Sequence, residues 1–336
     1  SQIITIKEIK TVKEKKKIDY FGSFFLITGL ITLILLLSEG PFWSWTSPMN
    51  ISLYAASPIL LLLFIYSQKK VSNPIVIFSV CKSSLFILSV ILTFITAGIY
   101  YTFLYFINYY FQNAIGQNYS YFLSGVILMP ATILCAFISI FSIKIIEKFG
   151  YKLTLSAGFL LIFSGMLIWM WLPEDITYLN LWWRFLITGL GVGLIYPAVT
   201  PLCVRSVKPK DSGMASGIFN SASFLGPSII ISVAAVWYTH TEMNHIYNLI
   251  HSSSDLLAKI PESKISILIN SVHNDISKFN EVISGLGLSS KETKNLLITL
   301  KQSANSGFGK VGLLCAIFSA IGFILSIIIA PGKNNK

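Results

Sequence analysis

The chain has 336 residues, of which 54% are hydrophobic and only 12% charged, with a mean hydropathy of +0.71. A soluble globular domain carries about 25% charged residues, so this composition excludes one. The net charge of +11 would suit a nucleic-acid binder, but the basic residues gather in alternate gaps between long apolar stretches, which argues against that class.

In chain order the apolar stretches run over 20–38, 49–67, 84–108, 121–143, 153–172, 182–204, 216–238 and 310–330. A hydrocarbon core about 30 Å thick takes roughly 20 helical residues at about 1.5 Å each. Six of the eight stretches reach that on apolar content alone, and the first two recruit aromatic and small polar residues at their ends. Lipid offers the backbone no hydrogen-bond partner, so such stretches can only be helices. The pattern predicts an all-α integral membrane protein with eight transmembrane helices.

Lysine sets the expected orientation. Lys7, Lys10, Lys13, Lys15, Lys16 and Lys17 precede the first span, and Lys69, Lys70 and Lys82 separate the second from the third. Lys144, Lys148 and Lys152 lie between the fourth and fifth, and Arg205, Lys208 and Lys210 between the sixth and seventh. Lys333 and Lys336 follow the eighth. The intervening short gaps hold Glu39, no charge at all, and Glu174 with Asp175. Lys and Arg stay on the cytoplasmic side during insertion, so both termini are expected there, and a basic face toward anionic lipid explains the high pI. Trp43, Trp45, Trp169, Trp171, Trp182, Trp183 and Trp237 all fall at predicted external ends, as residues of the headgroup level do.

The lead KEIKTVKEKKKIDY resembles a signal-peptide n-region, but no small-residue cleavage site follows it. It reads as a cytoplasmic linker. The stretch 239–309 is the one large soluble segment. Ile265, Ile269, Val272, Ile276, Phe279 and Ile283 recur there at helical steps, and Ser289 with Glu292 fits a capping box. A small helical cap outside the membrane is expected. All four histidines (His240, His245, His251, His273) lie in it, and they read as solvated loop residues. Cys81, Cys135, Cys203 and Cys315 lie on different spans without a CxxC pair, so no disulfide framework, metal site or cofactor follows.

Gly189, Gly191 and Gly193 sit mid-span with no preceding strand, so a nucleotide loop is a poor reading. Gly189 and Gly193 form a small-xxx-small face for a neighbouring helix, and Gly213 with Gly217 is read in the same way. Pro58, Pro130, Pro197, Pro201 and Pro227 each remove a helix hydrogen bond and permit a kink. No catalytic triad, carboxylate pair or His cluster lies within the membrane, and no enzyme is expected. The interior polar residues are neutral: Thr93, Thr96, Asn108, Gln112, Asn220, Ser221 and Ser223. Tyr100, Tyr101, Tyr105, Tyr109 and Tyr110 crowd the outer half of the third span. Apolar walls with a few polar groups suit an amphipathic organic molecule, and the same groups equally serve to bond helix to helix. Asp19, Lys82 and Arg184 all fall near interfaces, so a proton-coupled assembly is expected to keep its titrating acid on another chain or in a missing half.

The stretch YYFQNAIGQNYSYFLSGVILMP resembles the Y-x-Q…G-x-S…G…P segment in the second half of major facilitator transporters, most closely the fourteen-span drug:proton antiporters of the EmrB/QacA type. SIKIIEKFGYK (Ser142–Lys152) is similar to that superfamily's cytoplasmic G-x-x-x-D-R-x-G-x-R loop, with Glu147-Lys148 standing for Asp-Arg. That exchange keeps the charge signs but loses the forked hydrogen bonding of Arg. The run from Gly189 to Ile229 resembles the family's G-x-G-x-G…P…G-x-A-S-G…N…G segment, with Ser223 where Arg is frequent and Pro227 after Gly226. IDYFG with WSW resembles the start of the two central linker spans.

The resemblance implies a C-terminal six-helix bundle preceded by two linker helices. Residues 1–18 would be a cytoplasmic basic linker and 19–70 the two linker helices. Five bundle helices would lie in 71–238, the external helical loop in 239–309, and the last helix with the tail in 310–336. It implies the C-terminal part of a proton-coupled secondary exporter of amphipathic small molecules, in a bacterial inner membrane. Tyr105, Asn108, Tyr109, Gln112, Tyr196 and Asn220 would line the substrate pathway. Glu147, Lys148, Gly150 and Lys152 would form a gating loop, and Pro130, Gly189, Gly193, Pro197, Gly226 and Pro227 would set packing and kinks. The implied partners are the lipid bilayer, a small amphipathic substrate, a missing N-terminal six-span half and an envelope adaptor protein, with no nucleic acid. Two rival readings stay open: a non-transporting scaffold or degenerate transporter fragment, and an exporter of a siderophore or metabolite.

Overall fold

The computed structural model describes residues 19–43, 46–71, 74–75, 80–112, 119–172, 178–252, 281–285, 287 and 289–329. The basic lead, Trp45, Glu174, Asp175, His273, the apolar pattern from Ile265 to Phe279 and the C-terminal lysines lie outside the described residues. So do the side chains of Glu39, Trp43, Cys81 and His251.

Among the described residues, seven helices are long and apolar enough to cross a membrane. They are α1 (Tyr20–Trp43), α2 (Pro48–Lys70), α3 (Ser84–Gln112), α4 (Tyr121–Trp169), α5 (Tyr178–Arg205), α6 (Ser212–Ser252) and α7 (Ser290–Ile328). Eight apolar stretches give seven helices because the fourth and fifth both fall within α4, which has 49 residues. That length would be about 74 Å if straight, more than twice a hydrocarbon core. It is not straight. Gly150 has φ 79° and ψ 166°, a conformation open to a residue without Cβ.

Contacts with α5 show what this break does. Gly189 and Gly193 of α5 abut the backbone of Ala131 and Cys135, so the front part of α4 runs parallel to α5. Gly158 meets Ile195, and Gly165 meets Thr188, so the rear part runs antiparallel. The chain therefore doubles back between them, and α5 lies against both limbs. Its glycines alternate accordingly, since Gly191 faces Gly158 and Ile162 of the rear limb. In lipid this close approach, rather than a hydrophobic drive, holds helices together. Gly213 and Gly217 have nothing within 4 Å of a built Cβ, so the helix contact expected there is not made.

The chain divides into two compact units, residues 1–78 and 79–336. In the first, α1 and α2 form a hairpin. Ser47 caps α2, its Oγ accepting from Asn50 N at 3.2 Å, with Pro48 in the first turn, where no N–H is needed. Asp19 caps α1, its Oδ1 accepting from Gly22 N at 2.8 Å, while its Oδ2 accepts from Gln68 Nε2 at 2.6 Å. One buried carboxylate thus ties the start of α1 to the end of α2. Replacing Asp19 by Ala should cost this hairpin about 2 kcal/mol, from a lost cap and a lost charged hydrogen bond. Limited proteolysis between α1 and α2 would register it as faster cleavage, whereas an unchanged rate would count against the tie.

In the second unit α3 is a central helix, with Leu92, Ala97, Ile99 and Ile107 fully buried. Ser319 Oγ of α7 donates to Phe159 O at 2.8 Å, and Ser156 and Ser326 pair at 2.7 Å, joining α7 to the rear limb of α4. The Ser289–Glu292 capping box opens α7. Residues 239–252 and 290–309, read from sequence as parts of a separate loop, continue α6 and α7 without interruption. They pack on each other through His245 Nδ1 and Ser303 Oγ at 3.0 Å, with Ile246, Leu296, Leu300 and Ala304 buried.

Two expectations are corrected here. Trp169 is not a headgroup residue: it is 0% exposed, whereas Trp171, two positions on, is 71% exposed. Glu242, within the stretch 239–309 expected to be soluble, is 1% exposed.

Candidate substrate cavity

The C-terminal half of α3 presents Tyr101, Leu104, Tyr105, Asn108, Tyr109 and Gln112 along one stripe, at steps of three and four residues. On α6, Ser223, Phe224, Pro227, Ser228 and Ile231 repeat that spacing. The two stripes flank an open cavity of about 640 Å³, within the usual size range for sites that hold small organic molecules. Its walls are mainly apolar and aromatic, and none of the described residues that line it is charged.

The polar groups are few, and their own helices partly engage them. Asn108 Nδ2 donates to Leu104 O at 2.9 Å, which occupies one of its two amide hydrogens. Ser223 Oγ donates to Asn220 O at 2.7 Å and Ser228 Oγ to Phe224 O at 3.0 Å, so each hydroxyl remains able to accept. Pro227 lies one turn beyond Ser223 and brings no N–H for the Ser223 carbonyl. A backbone acceptor is thereby placed where a ligand donor is able to reach it. Adjacent to the cavity, Gly226 lies on the backbone of Phe94, and Gly98 on Ile230, so α3 and α6 touch backbone to backbone.

Of the six residues expected on the pathway, Tyr105, Asn108, Tyr109 and Gln112 share the cavity wall, and two do not. Tyr196 is part-buried on α5, within electrostatic reach of Tyr100, Tyr101 and Cys135. Asn220 is exposed one turn before Ser223. Sequence reasoning missed Tyr101, Phe224, Ser228 and Ile231. The three- and four-residue steps around Pro227 were the available signal.

The four residues expected in the gating loop, Glu147, Lys148, Gly150 and Lys152, lie together at the turn within α4. Among the described residues Glu147 forms no ion pair, Lys148 Nζ sits 5.2 Å from its neighbour Phe149's ring centroid, and Lys152 is half-buried. Gly150 provides the turn itself. Arg205 Nη1 donates to Tyr151 OH at 3.3 Å, connecting the end of α5 to the loop. Pro130 and Pro197 lie inside α4 and α5, away from the cavity wall.

The family model described as Major Facilitator Superfamily matches residues 18–231. The chain is 22% identical over 328 residues to the MFS-type transporter YhcA of Bacillus subtilis, covering 96% of this chain and 59% of that protein. It is 23% identical over 235 residues to the multidrug resistance protein Stp of Mycobacterium tuberculosis, covering 69% of this chain and 43% of Stp. The quinolone resistance protein NorB of Staphylococcus aureus is 25% identical over 234 residues, covering 69% of this chain and 50% of NorB. The chain thus spans about half the length of the relatives it matches.

Proposed function

This chain belongs to the major facilitator superfamily, whose members are carriers rather than enzymes, and we propose that it forms the C-terminal part of a secondary exporter of amphipathic small molecules. In this reading α1 and α2 are the linker spans of a fourteen-span, EmrB/QacA-type protein, and the other helices are its second bundle. An N-terminal six-span half completes the alternating-access pair. Both ends of the chain face the cytoplasm of a bacterial inner membrane, and the exchange is driven by protons.

One observation carries this reading: the neutral, aromatic-walled cavity of about 640 Å³ between α3 and α6. A charged wall would select for complementary charge. This one offers rings, a few amides and hydroxyls, and a proline-freed carbonyl, which suits poorly discriminated apolar compounds. The printed names of Stp and NorB concern drug resistance, which agrees with such a wall.

The test is efflux of a lipophilic dye such as ethidium from vesicles holding this chain, alone and with an upstream six-span half. Efflux only with both halves is the expected result. Efflux by the chain alone would overturn the incompleteness, and none even with both would favour the scaffold. At the cavity, the double substitution Asn108→Leu and Gln112→Leu should weaken the binding of a hydrogen-bonding dye about tenfold, the loss of roughly one net hydrogen bond. Fluorescence titration reads this directly, and unchanged affinity would move the binding site elsewhere.

A further inference from the structure

Beyond the cavity, one acidic side chain is withdrawn from water. Glu242 stands on α6 one turn after Tyr238, and its Oε1 accepts from Tyr238 OH at 3.4 Å. Tyr238 is itself 4% exposed. Its ring packs on Phe106 and Tyr109 of α3, with centroids 5.4 and 5.8 Å apart. On the other side α7 presents Gly307, where a side chain would strike that ring. The protonation of a carboxyl so enclosed is set by the groups that touch it, so it changes when those neighbours move.

Among the described residues the titratable groups around it include Tyr238 and His245 on α6, and Tyr109 and Tyr110 on α3. Opposite, α7 brings Ser303 and, on neighbouring turns, the cations Lys301 and Lys310. Tyr109 has two roles in this set. It belongs to the cavity wall, and its ring stands edge-on to Tyr238 at 88°. Whatever displaces Tyr109 acts on Tyr238, and so on the hydroxyl that holds Glu242.

We infer that Glu242 is the proton-binding carboxyl of this half of the carrier, and that the Tyr109–Tyr238 ring pair reports cavity occupancy to it. The inference rests on the exporter reading and supplies the acid that the sequence left to another chain. The step is a plain proton transfer: the carboxylate takes a proton from water to become the neutral acid, and returns it to water when the rings shift. No electrons move.

Infrared difference titration of the 336-residue chain in lipid nanodiscs tests this without requiring transport. A carboxylic-acid C=O band whose midpoint moves with bound ethidium is expected in the wild type, and it should vanish in Glu242→Gln. Glu242→Asp should retain a band at a changed midpoint, with circular dichroism confirming the fold of each variant. Bound ethidium should shift the wild-type midpoint by about one pH unit. By linkage its affinity should then change about tenfold across the titration, and Tyr109→Leu should remove that coupling. A band that persists in Glu242→Gln overturns the inference. So does dye affinity whose pH dependence is the same in wild type and Glu242→Gln, and in that case the exporter reading stands. Should the band vanish in Glu242→Gln while bound dye leaves the wild-type midpoint unmoved, the coupling to the cavity is overturned.

Discussion

Replacing Gly226 by alanine should dislodge α3 from α6, at a cost of about 3 kcal/mol. The added Cβ would fall on the backbone carbonyl of Phe94, with that residue's C at 2.9 Å and Cα at 3.1 Å. Side-chain rotation relieves nothing here, because every obstructing atom belongs to the main chain of another helix. Lipid does not compensate either, since separated helices are solvated by tails as apolar as their own side chains. The same substitution at Gly217 is the control. No atom stands within 4 Å of its built Cβ, so alanine there should be neutral or stabilise α6 by about 0.5–1 kcal/mol through helix propensity. Thermal unfolding in detergent should separate the two variants clearly. If both melt with the wild type, the α3–α6 contact is wrong, and with it the cavity wall.

Trp169→Ala should be of similar or greater severity, about 4 kcal/mol. Its indole is 0% exposed and lies at the centre of an aromatic cluster, with ring centroids 5.0 Å from Phe103, 4.9 Å from Phe185 and 6.2 Å from Phe308. Helices α3, α4, α5 and α7 all contribute a ring to it, so a void there loosens four helices together. Trp171→Ala removes a ring that is 71% exposed and should change the melting temperature little. Comparable losses at both positions would return Trp169 to the membrane surface and empty the proposed core.

That pair of tryptophans shows where the sequence stops being informative. Hydropathy locates what leaves water, but lipid and protein interior are equally apolar, so it does not separate a bundle core from a lipid-facing surface. Trp169 and Trp171 share composition, neighbourhood and predicted depth, and only packing tells them apart. The cavity face of α3 was legible because Tyr105, Asn108, Tyr109 and Gln112 fall at helical steps, a property of the chain alone. Tyr196 and Asn220 were chosen by residue type on other helices, and type does not fix which way a helix is turned. Glu242 was missed for a related reason. As one of six acids among six lysines in 239–309 it looked solvated, and only the continuation of α6 past the predicted span, with α7 laid against it, encloses it.

The glycines of α5 carry one more implication, for how this gene tolerates change. Inserting or deleting a single residue just before Gly189 turns everything downstream by about 100° around the helix axis. Leucine or valine would then be driven into main chains that now meet only hydrogen, on both limbs of α4 at once. Length variation in this chain should therefore be confined to the joints between helices, and a library of one-codon indels scored for membrane expression would draw that map directly.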